Sequence, residues 1–560
     1  MLLASLERMR SLPRAVEITR TLVAYGLHDF VHSVGLHRAI DEVQDVMGWT
    51  AQSDIASRPL PERTRMALEA LGPAFVKLGQ VLASRVDMLG PDWIEQLDQL
   101  HDRAAAVPFE RLEAQLVEDL GGPIASRFAT FDLEAHAAGS IAQVHHATLA
   151  DGAAVAVKIR RPGVAASIEA DLQLLEMLAA WWEDESAESR RYQPAELVRQ
   201  LRKSLGREVD FAAEARSQER FADSFRDDPG IVVPKVHAEF TRPSLLVMDW
   251  IEGIPATQLG AVDAAHLDRQ VLAARGADAV LKMVLEDGFF HADPHPGNVF
   301  FLPGERVALI DFGMVGWLSA KRRDELVDLL AAVATHDPEA MRDVLVAWAD
   351  GRKVNAERFV EDLGRMLHLY EHAAFREISV GALLSEVAGV MRENQLVLPA
   401  DLALLFKALI TLEGLGTRLV PRFKLIEHVT PYVNRLVAER WTPRRAAERA
   451  SAITREMGRA MRAAPRLVEE LSRRFADDGM AVSLEVKQID SLSTRVERSL
   501  DRVVIGLVTA ALIVGSSLLL ATSIRAESLV ASFFGAAGIL IAFGNSVWLI
   551  ASIREAHRRR

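Results

Sequence analysis

Hydrophobic and polar positions along this chain change period several times, and each change predicts an element. Residues 153–159 alternate, with Val155, Val157 and Ile159 set between alanines and Lys158, the pattern of a half-buried strand. Asp151-Gly152 before them is a hairpin turn signal, and residues 143–149 read as the preceding strand. Residues 194–225 switch to helical spacing, with Leu197, Leu201, Leu205 and Val209 every fourth position. Residues 307–310 form a short apolar run that predicts a buried strand, and residues 402–415, opened by Leu398-Pro399, predict a buried helix. Pro294 and Pro296 forbid a continuous helix between them and predict a loop.

Near the C-terminus the periodicity gives way to two uncharged apolar runs, residues 503–524 and 529–553. Each has about the 20 residues that a bilayer-crossing helix needs. Arg525-Ala-Glu527-Ser between them is too short for a domain, so the pair reads as a transmembrane hairpin. Gly506/Ala510, Ala511/Gly515 and Ala531/Gly535 have the small-x-x-x-small spacing that lets two such helices approach closely. Arg495, Arg498 and Arg502 precede the hairpin, and Arg554, Arg558, Arg559 and Arg560 follow it, which places both flanks in the cytoplasm. Residues 444–474 are arginine-rich and helical in pattern, suited equally to anionic headgroups and to water. Residues 1–60 read as amphipathic helices lying on the core or the membrane; Pro13, Glu17 and several arginines break up any secretory h-region.

Composition narrows the chemistry. The chain has 560 residues, half of them hydrophobic, enough for three or four structural units. It has no cysteine, which excludes disulfides, thiolate nucleophiles and cysteine-bound zinc. A formal charge of -12 argues against a general nucleic-acid binder. The 16 histidines include no H-E-x-x-H spacing.

Two short motifs carry the chemistry. His291-Ala-Asp293-Pro-His-Pro-Gly-Asn298 has an amide five positions after an aspartate, and Asp311-Phe-Gly313 follows the apolar run. This is the H-x-D-x-x-x-x-N and D-F-G arrangement of a kinase catalytic loop and metal turn. Asn298 and Asp311 offer the hard oxygens that Mg²⁺ takes, and Asp293 is left to accept a proton or orient a hydroxyl. Lys158 on its strand would hold the α- and β-phosphates of ATP. Before it, Ala137, Ala138, Gly139, Ser140, Ile141, Ala142, Gln143 and Val144 replace a glycine-rich loop, small residues letting backbone N–H groups approach phosphates. Three acids, Glu208, Asp210 and Glu214, lie on the helical segment; Asp210 and Glu214 are spaced to share a face, and one of the three pairs with Lys158. On the segment opened by Gly72-Pro73, Phe75, Leu78 and Leu82 recur at helical spacing, with Lys77, Gln80 and Ser84 on the other side, where Glu208 and Asp210 could serve as their partners. No A-P-E segment follows Asp311, which weakens the ordinary protein-kinase reading.

With these pieces together the chain resembles the UbiB family of atypical kinase-like proteins of ubiquinone (coenzyme Q) biosynthesis, from about Arg63 onward. Lys77-Leu-Gly79-Gln80 is similar to its K-x-G-Q motif, residues 137–144 to its alanine-rich nucleotide loop, and Glu208-Val-Asp210 to its E-x-D motif. The resemblance makes Glu214 the helix glutamate that pairs with Lys158. It places Asp249 where a glutamate is expected in the interlobe linker. It implies a bilobal α+β kinase-like fold whose K-x-G-Q helix covers the nucleotide cleft, with Lys77, Gln80, Glu208 and Asp210 as regulatory residues. The expected organisation is N-terminal helices (1–62), a K-x-G-Q extension (63–130), an antiparallel-sheet N-lobe with inserted helices (131–252), a helical C-lobe (253–430), a basic amphipathic region (431–501) and the hairpin (502–554).

The implied activity is an ATPase or unorthodox kinase using ATP and Mg²⁺ at the bacterial cytoplasmic membrane. Its implied partners are a polyprenyl quinone precursor or membrane lipid and quinone-biosynthesis enzymes, with no nucleic acid. A protein Ser/Thr kinase and a non-catalytic nucleotide-binding scaffold are the alternatives.

Overall fold

The alternating residues form a hairpin at the centre of a five-stranded antiparallel sheet. In this computed structural model the described residues are 12–33, 53–100, 105–185, 193–349, 354–370, 378–440 and 516. The chain divides into two units, residues 1–446 and 447–560; all described residues except 516 belong to the first. The sheet contains β1 (Phe128–Phe131), β2 (Ala137–Ala138), β3 (Ala142–Leu149) and β4 (Ala154–Arg160), and β6 (Leu245–Asp249) pairs with β4. β1, β2 and β4 all pair with β3.

Because side chains alternate across a strand, the two faces of this sheet have different partners. Val155, Val157 and Ile159 pack with Leu112, Leu116 and Leu120 of helix Glu110–Leu120. Ala142, Ala156, Leu246 and Met248 pack with Phe211 and Ala215 of helix Phe211–Ser224. Each fully buried aliphatic side chain here stabilises the fold by about 1.5–3 kcal/mol. Lys158 shares the second face, opposite Val144, and so points toward that helix.

The expected single helical segment at 194–225 is two helices, Pro194–Glu208 and Phe211–Ser224. The break falls at Asp210, whose carboxylate accepts a hydrogen bond from the Ala212 amide at 3.1 Å and caps the second helix. Asp210 and Glu214 therefore do not share a helical face; one is the cap and the other lies inside.

Below the sheet the chain is mainly helical. Two small sheets lie there: β5 (Ile231–Val232), β10 (Arg306–Leu309), β9 (Val299–Leu302) and β7 (Ile254–Pro255) in that order, and β8 (Phe289–His291) with β11 (Val315–Trp317). The buried strand expected at 307–310 is β10, and the helix expected at 402–415 is Ala400–Leu419. Helix Arg269–Leu281 runs into a π-helical turn, Lys282–Asp287, that ends at Gly288. Gly288 has φ +64°, and a Cβ there would stand 2.7 Å from the Leu318 carbonyl, so only glycine lets β8 leave this turn.

Of the N-terminal segments, the described residues 12–33 lie on the core. Ala15, Ile18 and Leu22 of helix Leu12–Ala24 share one apolar cluster with Phe75, Leu172, Leu201 and Leu205. Arg14 reinforces it with a 2.7 Å ion pair to buried Asp171. Among the described residues no helix is long and apolar enough to cross a membrane. Apart from residue 516, the runs at 503–524 and 529–553 and the stretch at 444–474 lie outside the described residues.

Candidate active site

Strand β4 and helix Phe211–Ser224 bring together the first pair. Lys158 Nζ donates to both Glu214 oxygens, at 2.7 and 2.9 Å, and stands 5.2 Å from the Phe211 ring. Asp311 Oδ1 is 3.7 Å from the same ammonium. Burial acts to lower the Lys158 pKa, but Asp311 and Glu214 outweigh it and hold the lysine charged, above its ordinary value. Lys158 in turn holds Asp311 down to about 2. Asp311 is half exposed and sits at φ +59°, a left-handed backbone that turns its carboxylate back toward Lys158.

Aromatic packing fixes that turn. Phe312 is buried, with its ring 5.0 Å from Phe221 of the Glu214 helix and 5.5 Å from His291; Phe289 stacks on Phe221 at 4.7 Å. His291 also braces the loop: its Nδ1 accepts from the Asp293 amide at 3.1 Å and its Nε2 lies 3.2 Å from the Ile310 carbonyl. Burial lowers its pKa, which keeps the ring neutral and able to accept. The expected proline loop is present, and Asn298 Nδ2 donates to the Asp293 carbonyl at 3.2 Å. Burial acts to raise the Asp293 carboxyl, but Lys407 and the basic side chains around it prevail and lower it.

The alanine-rich loop is only partly cleft-facing. Ala137 and Ala138 pair with Val144 and Gln143, and the Gly139 amide donates to the Ala142 carbonyl at 2.8 Å. Ser140 lies between them, half-buried. Two candidates point elsewhere. Ile141 is buried in the N-terminal apolar cluster. Gln143 is buried on the opposite face from Val144 and Lys158, where its amide bonds both backbone groups of Val107, at 2.9 and 3.2 Å. Period two requires this, since neighbours on a strand face opposite ways. In the linker, Asp249 Oδ1 is 2.8 Å from His237 Nε2.

The K-x-G-Q segment is helix Pro73–Ala83. Its Lys77 is buried and pairs with Glu208 at 2.7 Å. Burial works against the charge, yet Glu208, then Asp293 and Asp311, raise this lysine too. Gln80 does not join that pair: it donates to the Leu100 carbonyl at 3.1 Å. A Cβ on Gly79 would lie 2.1 Å from the Leu100 side chain, so the glycine lets this helix and residue 100 close together. Further on, buried Arg85 pairs with Asp87 at 2.7 Å and donates to the Leu398 carbonyl at 3.1 Å, while Asp87 accepts from the Leu398 amide at 2.8 Å. The extension is thus fastened to both sides of the site. Between these fastenings lies a cavity of about 1000 Å³, with Ala292 and Gly313 in its wall beside Val81, Arg207, Trp317 and Leu404.

Sequence reasoning missed Lys407, Asp98, Phe221 and Phe289. Lys407 had a visible signal, a cation inside the apolar run that forms helix Ala400–Leu419. Among the described residues no cluster of three acidic or histidine side chains forms a metal site. The set Asn298 and Asp311 still suits Mg²⁺, which takes one or two carboxylates and completes its shell with water and substrate phosphates.

Residues 99–345 match the ABC1 atypical kinase-like domain, 363–424 the UbiB helical domain and 487–555 the ABC1/UbiB kinase-like C-terminal domain. A Pseudomonas putida protein named "Probable protein kinase UbiB" is 34% identical over 390 residues, 68% of this chain and 72% of the relative. The chain belongs to the UbiB family. A Pseudomonas fluorescens protein of the same name is 32% identical over 485 residues, 84% of this chain and 89% of its own. A solved Mycobacterium tuberculosis protein, Rv3197 in complex with erythromycin, is 22% identical, covering 71% of this chain and 99% of its own, with a TM-score of 0.42. Kinase-like architecture, with an antiparallel sheet above a helical lobe, is what the UbiB match and the described elements have in common.

Proposed function

We propose that this UbiB chain is a membrane-anchored Mg²⁺-dependent ATPase or phosphotransferase that acts on, or mobilises, a polyprenylphenol precursor of ubiquinone. The observation that carries the reading is the 3.7 Å approach of Lys158 to Asp311, which gathers a strand lysine and a loop acid from separate parts of the chain. Family membership supports the pathway. The two apolar C-terminal runs support the anchor at the cytoplasmic membrane.

In this reading Lys158 holds the α- and β-phosphates, and Glu214 keeps it charged and in place. Asn298 and Asp311 hold Mg²⁺, which offsets charge on the phosphate oxygens. Asp293 accepts the proton of the attacking hydroxyl. The chain passes from Gly313 through β11 straight into helix Ala320–Ala334, leaving little backbone for a peptide-binding activation segment; this favours the ATPase over a protein kinase.

The full-length chain in detergent should hydrolyse ATP with Mg²⁺, faster with a phenolic polyprenyl lipid. Turnover no higher than that of Asp293→Ala refutes the proposal.

A further inference from the structure

The catalytic loop of this chain has an unusual charge balance. Residues 291–298 contain no lysine or arginine; Ala292 precedes Asp293, and the nearest basic residue beyond it is His295. Yet phosphoryl transfer concentrates negative charge at this point, and a fixed cation there is worth a large factor in rate. A cation does reach the loop from elsewhere. Lys407 Nζ lies 3.7 Å from Asp293 Oδ1 and 4.0 Å from Asp98 Oδ1, and its side chain is only 15% exposed. It projects from helix Ala400–Leu419, whose neighbouring Phe406, Ala408 and Leu409 are buried. Asp98, at the end of helix Pro91–Leu97, faces the ammonium as a second carboxylate and so limits where it rests.

We propose that Lys407 is a catalytic residue, the cation that faces the transferred phosphoryl group beside Asp293. This rests on the ATP-dependent reading above. In the step it serves, the acceptor oxygen forms a bond to the γ-phosphorus and passes its proton to Asp293. The bond from that phosphorus to the β–γ bridging oxygen breaks, and its electron pair leaves with ADP. Lys407 moves no proton; its fixed charge offsets the charge gathered on the γ-oxygens. Asp98 is a positioning residue that keeps the ammonium from collapsing wholly onto Asp293.

The test uses the full-length chain in detergent, with Mg-ATP turnover, Mg-ATP affinity by calorimetry and thermal midpoint measured on one preparation. Lys407→Gln keeps a hydrogen-bond donor facing both carboxylates and removes the charge. It should lower kcat by about 100-fold while the dissociation constant for Mg-ATP changes by less than about threefold. Lys407→Arg should restore most of the rate, because it restores the charge. Turnover of Lys407→Gln close to wild type, a loss explained wholly by weaker ATP binding, or failure of Lys407→Arg to recover rate overturns the role. If Lys407→Gln does not fold, Lys407→Met against Lys407→Arg gives the same contrast. A wild type that neither binds nor hydrolyses ATP overturns the ATP-dependent reading with it; an active wild type matched by Lys407→Gln overturns the lysine alone.

Discussion

Two buried lysine–glutamate pairs in this protein have the same closest approach, 2.7 Å, and differ in what they hold. Lys158–Glu214 joins a sheet to the helix packed on it, and a third group, Asp311, looks into the pair. Lys77–Glu208 joins an extension to the last residue of the helix before that one. In each, burial acts to lower the lysine pKa, and the facing carboxylates outweigh it and raise it. The difference lies in the elements that carry the pair. On the proposed reading, removing the first dismantles the phosphate-holding group, whereas removing the second loosens a helical extension that Arg85 and Asp87 still fasten to Leu398.

Activity should separate the pairs most sharply. Lys158→Met should cut kcat/KM for ATP by about 100-fold or more, as expected for loss of a charge aimed at phosphates. A variant within a few-fold of wild type in steady-state kinetics would mean that Lys158 is only a structural ion.

Stability is the next contrast. Lys77→Met leaves Glu208 facing a desolvated gap and should cost about 3 kcal/mol. Adding Glu208→Gln should recover part of that loss, giving a coupling of about 1–2 kcal/mol in a urea double-mutant cycle. Additive effects would show that the 2.7 Å contact carries no net energy. Gly79→Ala is a smaller insult to the same extension. Its methyl would press on Leu100 and cost about 1–3 kcal/mol, offset by about 1 kcal/mol of helix propensity. The urea midpoint should fall slightly, and a rise would show that Leu100 rotates away freely.

The two pairs were not equally legible. Lys158, Asp293, Asn298 and Asp311 could be found because their surroundings are local, an alternating strand, a proline loop and a turn after an apolar run. Glu214 could not be separated from Glu208 and Asp210 by helical spacing, because the decisive fact is the cap at Asp210, which starts a new helix. Gln143 was placed in the nucleotide loop although its own strand period already turned it away from Val144. Lys407 is visible as a cation inside an apolar run, but what it pairs with is not. Its partner Asp293 lies far upstream, and only tertiary packing of helix Ala400–Leu419 against the loop brings the two charges together. Motif spacing reveals groups that share a local element; it is silent on charges delivered from another.

Acid provides the finest distinction between the pairs, because only the first has a carboxylate that Lys158 holds down to about 2. Asp311 has an ordinary value of 3.8, so its folded value is depressed. Such a group contributes stability that is fully present above about pH 5 and is lost as pH falls through 3.8 toward 2. Because Asp311 is half exposed, solvent screens the interaction, and the contribution should be no more than about 1 kcal/mol. Urea midpoints of wild type should therefore fall more steeply between pH 5 and pH 3 than those of Asp311→Asn, which has no such carboxylate to protonate. The Lys77→Met variant keeps Asp311 beside Lys158, the cation that lowers it most, and should retain most of the wild-type slope, because Lys77 lowers Asp311 less. If Asp311→Asn and wild type follow the same curve, Lys158 draws its charge balance from Glu214 alone, and the third member of that pair is held in place by Phe312 and the turn backbone.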